Sequence, residues 1–306
     1  MCPGTGRASR SSAIRSASGA GLSSRQGRFV TAGSVNESGD RARTRHPVPR
    51  TTALSSTPIA PPVPVLTCFD VREISAAALE SLTGDERARA AAMPESRRRC
   101  FVAARAVLRR LFAEHGIDPS VPLQYGAHGK PRLPGGAVLR FSISHTGETA
   151  CVATSLGAEI GVDIERCEGA DDAAALMRRF FSAREAAALD ALGPAERGRA
   201  FYETWTRREA VLKALGLGLG PDAESFAVSV PPAPPALAAA ADARFAIPFA
   251  LHPIAAGEGI VGTLAIAAPG APAPAVIDVA NLMLSPRRST CRRDRGPVLE
   301  RAGTVA

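Results

Sequence analysis

Phe141-Ser142-Ile143-Ser144-His145-Thr146-Gly147, then Gly161-Val162-Asp163-Ile164-Glu165, is the stretch that decides the reading of this chain. Val138 to Ser144 predicts a strand, Thr146-Gly147-Glu148 a turn, Thr149 to Thr154 a second strand and Glu159 to Ile164 a third. Side chains alternate along a strand. Asp163 and Glu165 therefore share one face, and Val162 and Ile164 enter the other. Two carboxylates this close repel each other unless a cation neutralises them. Hard oxygen ligands suit Mg2+, which commonly takes one or two protein carboxylates together with substrate phosphates. The plainer alternative is a solvated strand edge carrying two acids.

Upstream, residues 1–62 are rich in Ser, Arg, Gly, Thr and Pro and lack periodic apolar positions. Such a segment buries too little surface to offset the entropy of ordering. Val63 to Phe69 predicts a first strand, and Ala76 to Leu82 and Asp85 to Ala92 two short helices. Pro94 to His115 predicts a long one, with Phe101, Ala104, Leu108, Leu111 and Phe112 on one stripe. Arg98, Arg105 and Arg109 can share another side, which would suit a phosphate-rich ligand or simply face water. Gln124 to Ala127 is a candidate strand. Gly129-Lys130-Pro131 is a proline-pinned loop with a cation at its tip.

Downstream, Ala170-Asp171-Asp172 predicts an acidic turn and Ala173 to Phe181 a helix. Ser182 and Glu185 form a capping-box signature for the next one. Glu196 to Leu215 is the strongest helix of this half, with Gly216 at its C-cap. Phe226 to Val230, Arg244 to Leu251 and Ile260 to Ala268 predict strands, and Pro231 to Ala243 a surface excursion. Both halves follow one plan, a long helix on a small antiparallel sheet. The fold class expected is α+β, with two pseudo-symmetric lobes and a site between them. The boundaries expected are 1–62 for a disordered extension, 63–160 and 161–268 for the lobes, and 269–306 for a Pro/Ala/Arg-rich tail. In that tail Val276 to Leu284 could dock as a helix.

The 306 residues are 45% hydrophobic but only 5% aromatic, so Ala, Leu, Val and Phe must build the core. The formal charge of +8 comes from the ends: the first 60 residues hold nine Arg and two acids, while the middle is near neutral. That is weak support for nucleic-acid binding. No apolar run is long enough for a transmembrane helix, and no secretory signal is evident. The six cysteines show no metal spacing and are expected to be reduced thiols of a cytoplasmic protein.

A second constellation lies on the helix ending at Gly216. Trp205, Glu209, Leu212 and Lys213 recur at three to four residues and approach one side. Glu209 could complete a site begun by Asp163 and Glu165, with Lys213 beside it and His145 reaching the same cleft. A Glu-Lys helix pair worth about 0.3 kcal/mol is the simpler account of these two residues. The only tryptophan, Trp205, is expected to anchor the helix. These residues suggest metal-assisted chemistry on a phosphate substrate.

Gly161-Val162-Asp163-Ile164-Glu165 together with Trp205-Thr206-Arg207-Arg208-Glu209-Ala210 and Lys213 resembles the two signature motifs of the 4'-phosphopantetheinyl transferase superfamily. Phe141 to Thr146 and Gly129-Lys130-Pro131 resemble its other landmarks. The resemblance covers about residues 65–268 and is to the two-lobed, single-chain surfactin-synthetase-activator type. It implies transfer of the 4'-phosphopantetheine arm of coenzyme A to a serine of an acyl- or peptidyl-carrier domain, releasing adenosine 3',5'-bisphosphate. By the same match Asp163, Glu165 and Glu209 hold Mg2+, Glu209 takes the serine proton, and Lys213 neutralises the transferring phosphoryl group. His145, with Ser144 nearby, binds the coenzyme, and Lys130 contacts phosphate. Arg208 stands where the family usually has lysine, which could alter a phosphate contact. Arg98 and Arg99 compete for a further coenzyme contact, with Arg99 preferred and Cys100 at the alternative alignment. The implied protein is a monomer that serves carrier domains, not nucleic acid or membrane. Phe180 and Phe181 are candidates for carrier contact. The competing functions are a Mg2+-dependent nucleotide phosphohydrolase and a coenzyme- or carrier-binding module without turnover.

Overall fold

The computed structural model describes residues 63–168, 173–220 and 222–284. The expectations for residues 1–62, the acidic turn at 170–172 and the Arg-rich end fall wholly or largely outside them.

The first half runs β1 (Val65–Asp70), α1 (Gly84–Ala91), α2 (Glu95–Glu114), a small hairpin of β2 (Gln124–Tyr125) and β3 (Pro131–Arg132), then β4 (Leu139–Thr146) and β5 (Thr149–Leu156). The second half repeats that order. It has β6 (Ile160–Arg166), α3 (Ala173–Phe180), α4 (Ala183–Asp190), α5 (Pro194–Leu215), a hairpin of β7 (Phe226–Val228) and β8 (Leu237–Ala240), then β9 (Ala250–Ala255) and β10 (Ile260–Ile266). The sheets match as well, β1-β5-β4 in one lobe and β6-β10-β9 in the other, with antiparallel pairing throughout these three-strand sets. The two-lobed α/β architecture is the one expected.

The duplication reaches individual side chains. Thr83 and Glu86 form a capping box at the start of α1, as Ser182 and Glu185 do at α4. Each box glutamate is buried and receives an arginine from the following long helix. Arg109 donates to Glu86 at 2.8 and 3.1 Å, and Arg208 to Glu185 at 2.6 and 2.9 Å. Both pairs are separated by 23 residues.

Four layers result: α2, the first sheet, the second sheet and α5. Ala103, Val107, Leu111 and Phe112 of α2 pack on Phe141, Ala150 and Val152. Leu66, Cys151 and Ala153 on the opposite face of that sheet meet Ile160, Val162, Ile164 and Leu264 of the second. Ala210 and Val211 of α5 then cover Ala265 and Leu251. Burying such side chains contributes about 1.5–3 kcal/mol each.

Several expectations need correction. The short helix expected at Ala76 to Leu82 is present as a 3-10 helix over Ala76–Ser81. Residues 243–245 are likewise 3-10, and the strand expected from Arg244 begins only at Ala250, because Asp242 caps the turn through Arg244 N. The excursion after Pro231 contains β8. Past residue 268 the chain returns to the first lobe. There β11 (Ala275–Val276) pairs parallel with β1, and α6 (Val279–Leu284) packs Val279 and Leu282 onto α2. Cys68 and Cys151, expected to be reduced, face each other across β1 and β5 with Cα atoms 4.1 Å apart and form a disulfide. The pairing arises because strand register, which the spacing of cysteines does not reveal, sets them side by side.

Candidate active site

The site lies where β6 passes under α5, and close packing puts it there. An added Cβ at Gly161 would fall inside the van der Waals envelope of Ala210 O and Ala214 N. A hydrogen in place of a side chain lets the helix lie against the strand backbone. Glu209 and Lys213 immediately precede those two alanines, and Lys213 is thereby held over Asp163. Trp205 anchors the same helix one turn earlier, against Phe180, Phe181 and Phe201 at centroid distances of 5.6, 6.1 and 6.4 Å. Gly216 ends the helix in the left-handed region, at φ 72°.

Alternation along β6 is as expected. Val162 and Ile164 enter the core between the sheets. Asp163 and Glu165 are both buried, at 2% and 1% exposure, and both receive hydroxyls from β4. Ser144 Oγ donates to Asp163 Oδ1 at 2.9 Å, and Thr146 Oγ1 to Glu165 Oε2 at 3.4 Å. Lys213 Nζ donates to the same Asp163 oxygen at 2.6 Å and to Ser144 Oγ at 3.0 Å.

Burial raises the Asp163 carboxyl above its usual range, and the Lys213 ammonium works against that rise. Burial, with the Asp163 charge adding to it, pushes Glu209 up to about 7. Burial pulls Lys213 down, but Asp163 and Glu209 more than compensate and hold it above the ordinary lysine value. His145 is brought down to about 4 by burial and then by Lys213, so its ring is neutral near pH 7. Asp163 Oδ2 and Glu209 Oε1 are buried without a hydrogen-bond partner. Unsatisfied buried carboxylate oxygens are costly, and as hard anionic donors they fit a divalent cation.

The three acids are nevertheless not drawn into a finished ligand set. Among the described residues no three His, Cys, Asp or Glu side chains are gathered tightly enough to hold a metal ion. Mutual repulsion keeps carboxylates apart when only one ammonium lies among them. Lys213 neutralises Asp163, while Glu209 lines a narrow cavity with Trp205, Leu212, Leu219 and Phe226.

Other expected contacts are placed elsewhere. Lys130 Nζ donates to Glu159 Oε2, Ile160 O and Ala214 O at 2.9, 3.2 and 2.7 Å. Its three N–H groups lock the loop onto the ends of β6 and α5. Arg208 is buried on Glu185 and also donates to Phe226 O and Ala223 O, so it does not replace a phosphate-binding lysine. Arg105 and Arg109 are buried against Glu86, while Arg98 pairs with Glu95 at the surface, so the three do not form a phosphate-binding side. Phe180 and Phe181 are core residues around Trp205 and not an exposed carrier contact.

Arg99 is half-exposed and reaches Glu148 at 2.9 Å, in the turn that follows His145. Cys100 Sγ donates to Gly147 O in the same turn, at 3.4 Å. Of the two competing arginines, Arg99 is therefore the one next to the histidine turn. Sequence reasoning missed Gly161 and the Ala210/Ala214 pair, although small residues four apart on a helix were a legible sign of close approach. It also missed Ser142 and Thr146, and it placed Ser144 with the coenzyme without its bond to Asp163.

Among the described residues no helix is long and apolar enough to cross a membrane.

Both lobes resemble known proteins. Residues 159–264 match the family model of the 4'-phosphopantetheinyl transferase superfamily, and residues 85–155 match that of the 4'-phosphopantetheinyl transferase N-terminal domain. The chain is 35% identical over 163 residues to the 4'-phosphopantetheinyl transferase HetI of Nostoc sp. (strain PCC 7120), covering 51% of this chain and 68% of HetI. It is 36% identical over 120 residues to AcpT of Salmonella typhimurium, covering 39% and 60%. With the 4'-phosphopantetheinyl transferase of Bacillus subtilis the identity is 34% over 117 residues, covering 37% and 50%. The alignments thus span between half and about two thirds of these relatives. On the match of both lobes, the chain belongs to the 4'-phosphopantetheinyl transferase superfamily and is a transferase enzyme of that kind.

Proposed function

We propose that the cleft between β6 and α5 transfers the 4'-phosphopantetheine arm of coenzyme A to a serine hydroxyl of an acyl- or peptidyl-carrier domain. The observation that carries this reading is the Lys213–Asp163 ion pair, with Asp163 Oδ2 and, on the same helix as Lys213, Glu209 Oε1 buried and unsatisfied. Asp163, Glu165 and Glu209 are the residues that would hold Mg2+, which when bound neutralises pyrophosphate charge.

The chain's own groups divide the remaining work. Glu209, raised to about 7 when no metal is bound, is the carboxylate that would accept the serine proton as a general base, and a bound cation would lower that value. The serine oxygen–phosphorus bond forms as the pyrophosphate P–O bond breaks. The serine proton goes to Glu209, and adenosine 3',5'-bisphosphate leaves. Lys213 supplies a fixed ammonium to the charge that spreads over the phosphoryl oxygens. His145, neutral, is the candidate coenzyme contact, and Arg99 offers its guanidinium at the neighbouring turn. Both sides of the cleft come from one chain, which supports a monomer acting on carrier domains.

Incubation with coenzyme A, Mg2+ and an apo carrier protein tests this. The expected result is a mass gain of one phosphopantetheine arm on the carrier serine. Hydrolysis of a nucleotide without any carrier would instead support a phosphohydrolase. Coenzyme binding without turnover would support a binding module.

A further inference from the structure

The two lobes treat the outer edges of equivalent strands differently. β1 pairs with β5 on one side and with β11 on the other, both through backbone. β6 pairs with β10 on one side only. In such a pair every second N–H points away from the partner and needs another acceptor. On β6 the acceptors are side chains of β4. Val162 N donates to Ser142 Oγ at 3.0 Å, Ile164 N to Ser144 Oγ at 3.3 Å, and Arg166 N to Thr146 Oγ1 at 3.2 Å. The step is two residues on both strands, and the offset is 20 at each rung.

We propose that Ser142, Ser144 and Thr146 form a hydroxyl ladder that replaces a neighbouring strand along the free edge of β6, and that Ser144 and Thr146 are positioning residues for Asp163 and Glu165. A backbone partner would satisfy the same N–H groups, but its atoms could not also reach the carboxylates. A hydroxyl can, because it has one donor and two acceptor sites. Ser144 uses all three, donating to Asp163 Oδ1 and accepting from Ile164 N and Lys213 Nζ. Thr146 accepts from Arg166 N and donates to Glu165 Oε2. Ser142 touches β6 only through the backbone amide of Val162. The ladder thus joins the lobes and aims two acids with the same atoms, while its first rung serves as an internal control.

The aiming half of this inference rests on the transferase reading; the ladder itself does not. Amide hydrogen exchange by NMR on the full chain decides the ladder without any turnover. In the unsubstituted protein the amides of Val162, Ile164 and Arg166 should be protected. Ser142→Ala, Ser144→Ala and Thr146→Val should each speed exchange chiefly at the matching amide. Transfer kinetics decide the aiming. Ser144→Ala and Thr146→Val should lower kcat about tenfold or more, as loss of groups that orient ligands does, with KM for coenzyme A within twofold. Thr146→Ser should restore both protection and kcat. Ser142→Ala should leave kcat unchanged. Unprotected amides in the parent protein, or exchange indifferent to the substitutions, would overturn the ladder. A change confined to KM would overturn the positioning role and make Ser144 or Thr146 a substrate contact instead.

Discussion

Gly161 on β6 and Ala210 on α5 lie so close that strand and helix meet backbone to backbone, and this contact sets the height of Glu209 and Lys213 above Asp163. Replacing Gly161 with alanine must push the helix away. We expect Gly161→Ala to cost about 3 kcal/mol or more by chemical denaturation and to abolish transfer in whatever folds. Gly198, also on α5, has open space around it. Gly198→Ala should stabilise by roughly 0.5–1 kcal/mol. Equal effects at the two glycines would refute the close approach.

Arg208 supports α4 and β7 through Glu185. Arg208→Ala leaves a buried carboxylate without its cation and should cost about 3–5 kcal/mol. KM for coenzyme A should be unchanged in the folded enzyme. A raised KM with an unaltered melting temperature would return Arg208 to the phosphate site. Arg109→Ala should behave alike in the first lobe, since it occupies the equivalent position on Glu86.

Glu209 couples the site to pH. Its folded value of about 7 lies above the ordinary 4.5. Between those values the folded chain keeps a proton that the unfolded chain has released. Stability from this group is therefore complete below about pH 4.5 and falls as pH rises to about 7. Asp163, also raised, adds a change of the same sign. Urea denaturation of the chelator-treated protein at pH 5, 6 and 7 should show this decline. Glu209→Gln should flatten it and should also remove transfer activity. An identical slope in the variant would mean that Glu209 does not carry the bound proton.

Cys68 and Cys151 should appear as one cross-linked peptide pair when the alkylated, unreduced protein is digested and weighed. Cys100 and Cys167 should be alkylated in the same sample, because they are free in the structure. Full alkylation of Cys68 and Cys151 without reductant would show the pair to be open in solution.

The lobes, the long helices and the strand alternation at Asp163 and Glu165 were legible because each is a local pattern. Apolar period, capping residues and turn glycines lie within a few positions of one another. Ser182 and Glu185 announced a helix start in this way, and Gly216 announced a stop. No local pattern says what a polar side chain meets across the fold. Lys130, Arg208 and Arg105 read as free cations, and the fold gives each of them an acidic partner. Glu185 read as a cap alone and Glu86 was not singled out, yet both hold an arginine 23 residues away.

The sequence by itself determined the elements, their order, the two-lobed plan and which acids could serve one site. Only the tertiary structure decided how those acids are held. The depth of α5 on Gly161, the register of β4 beside β6 and the pairing of β1 with β5 bring residues 19 to 83 positions apart into contact. Such contacts depend on the packing of whole layers, and packing is a property of the assembled core rather than of any stretch of chain.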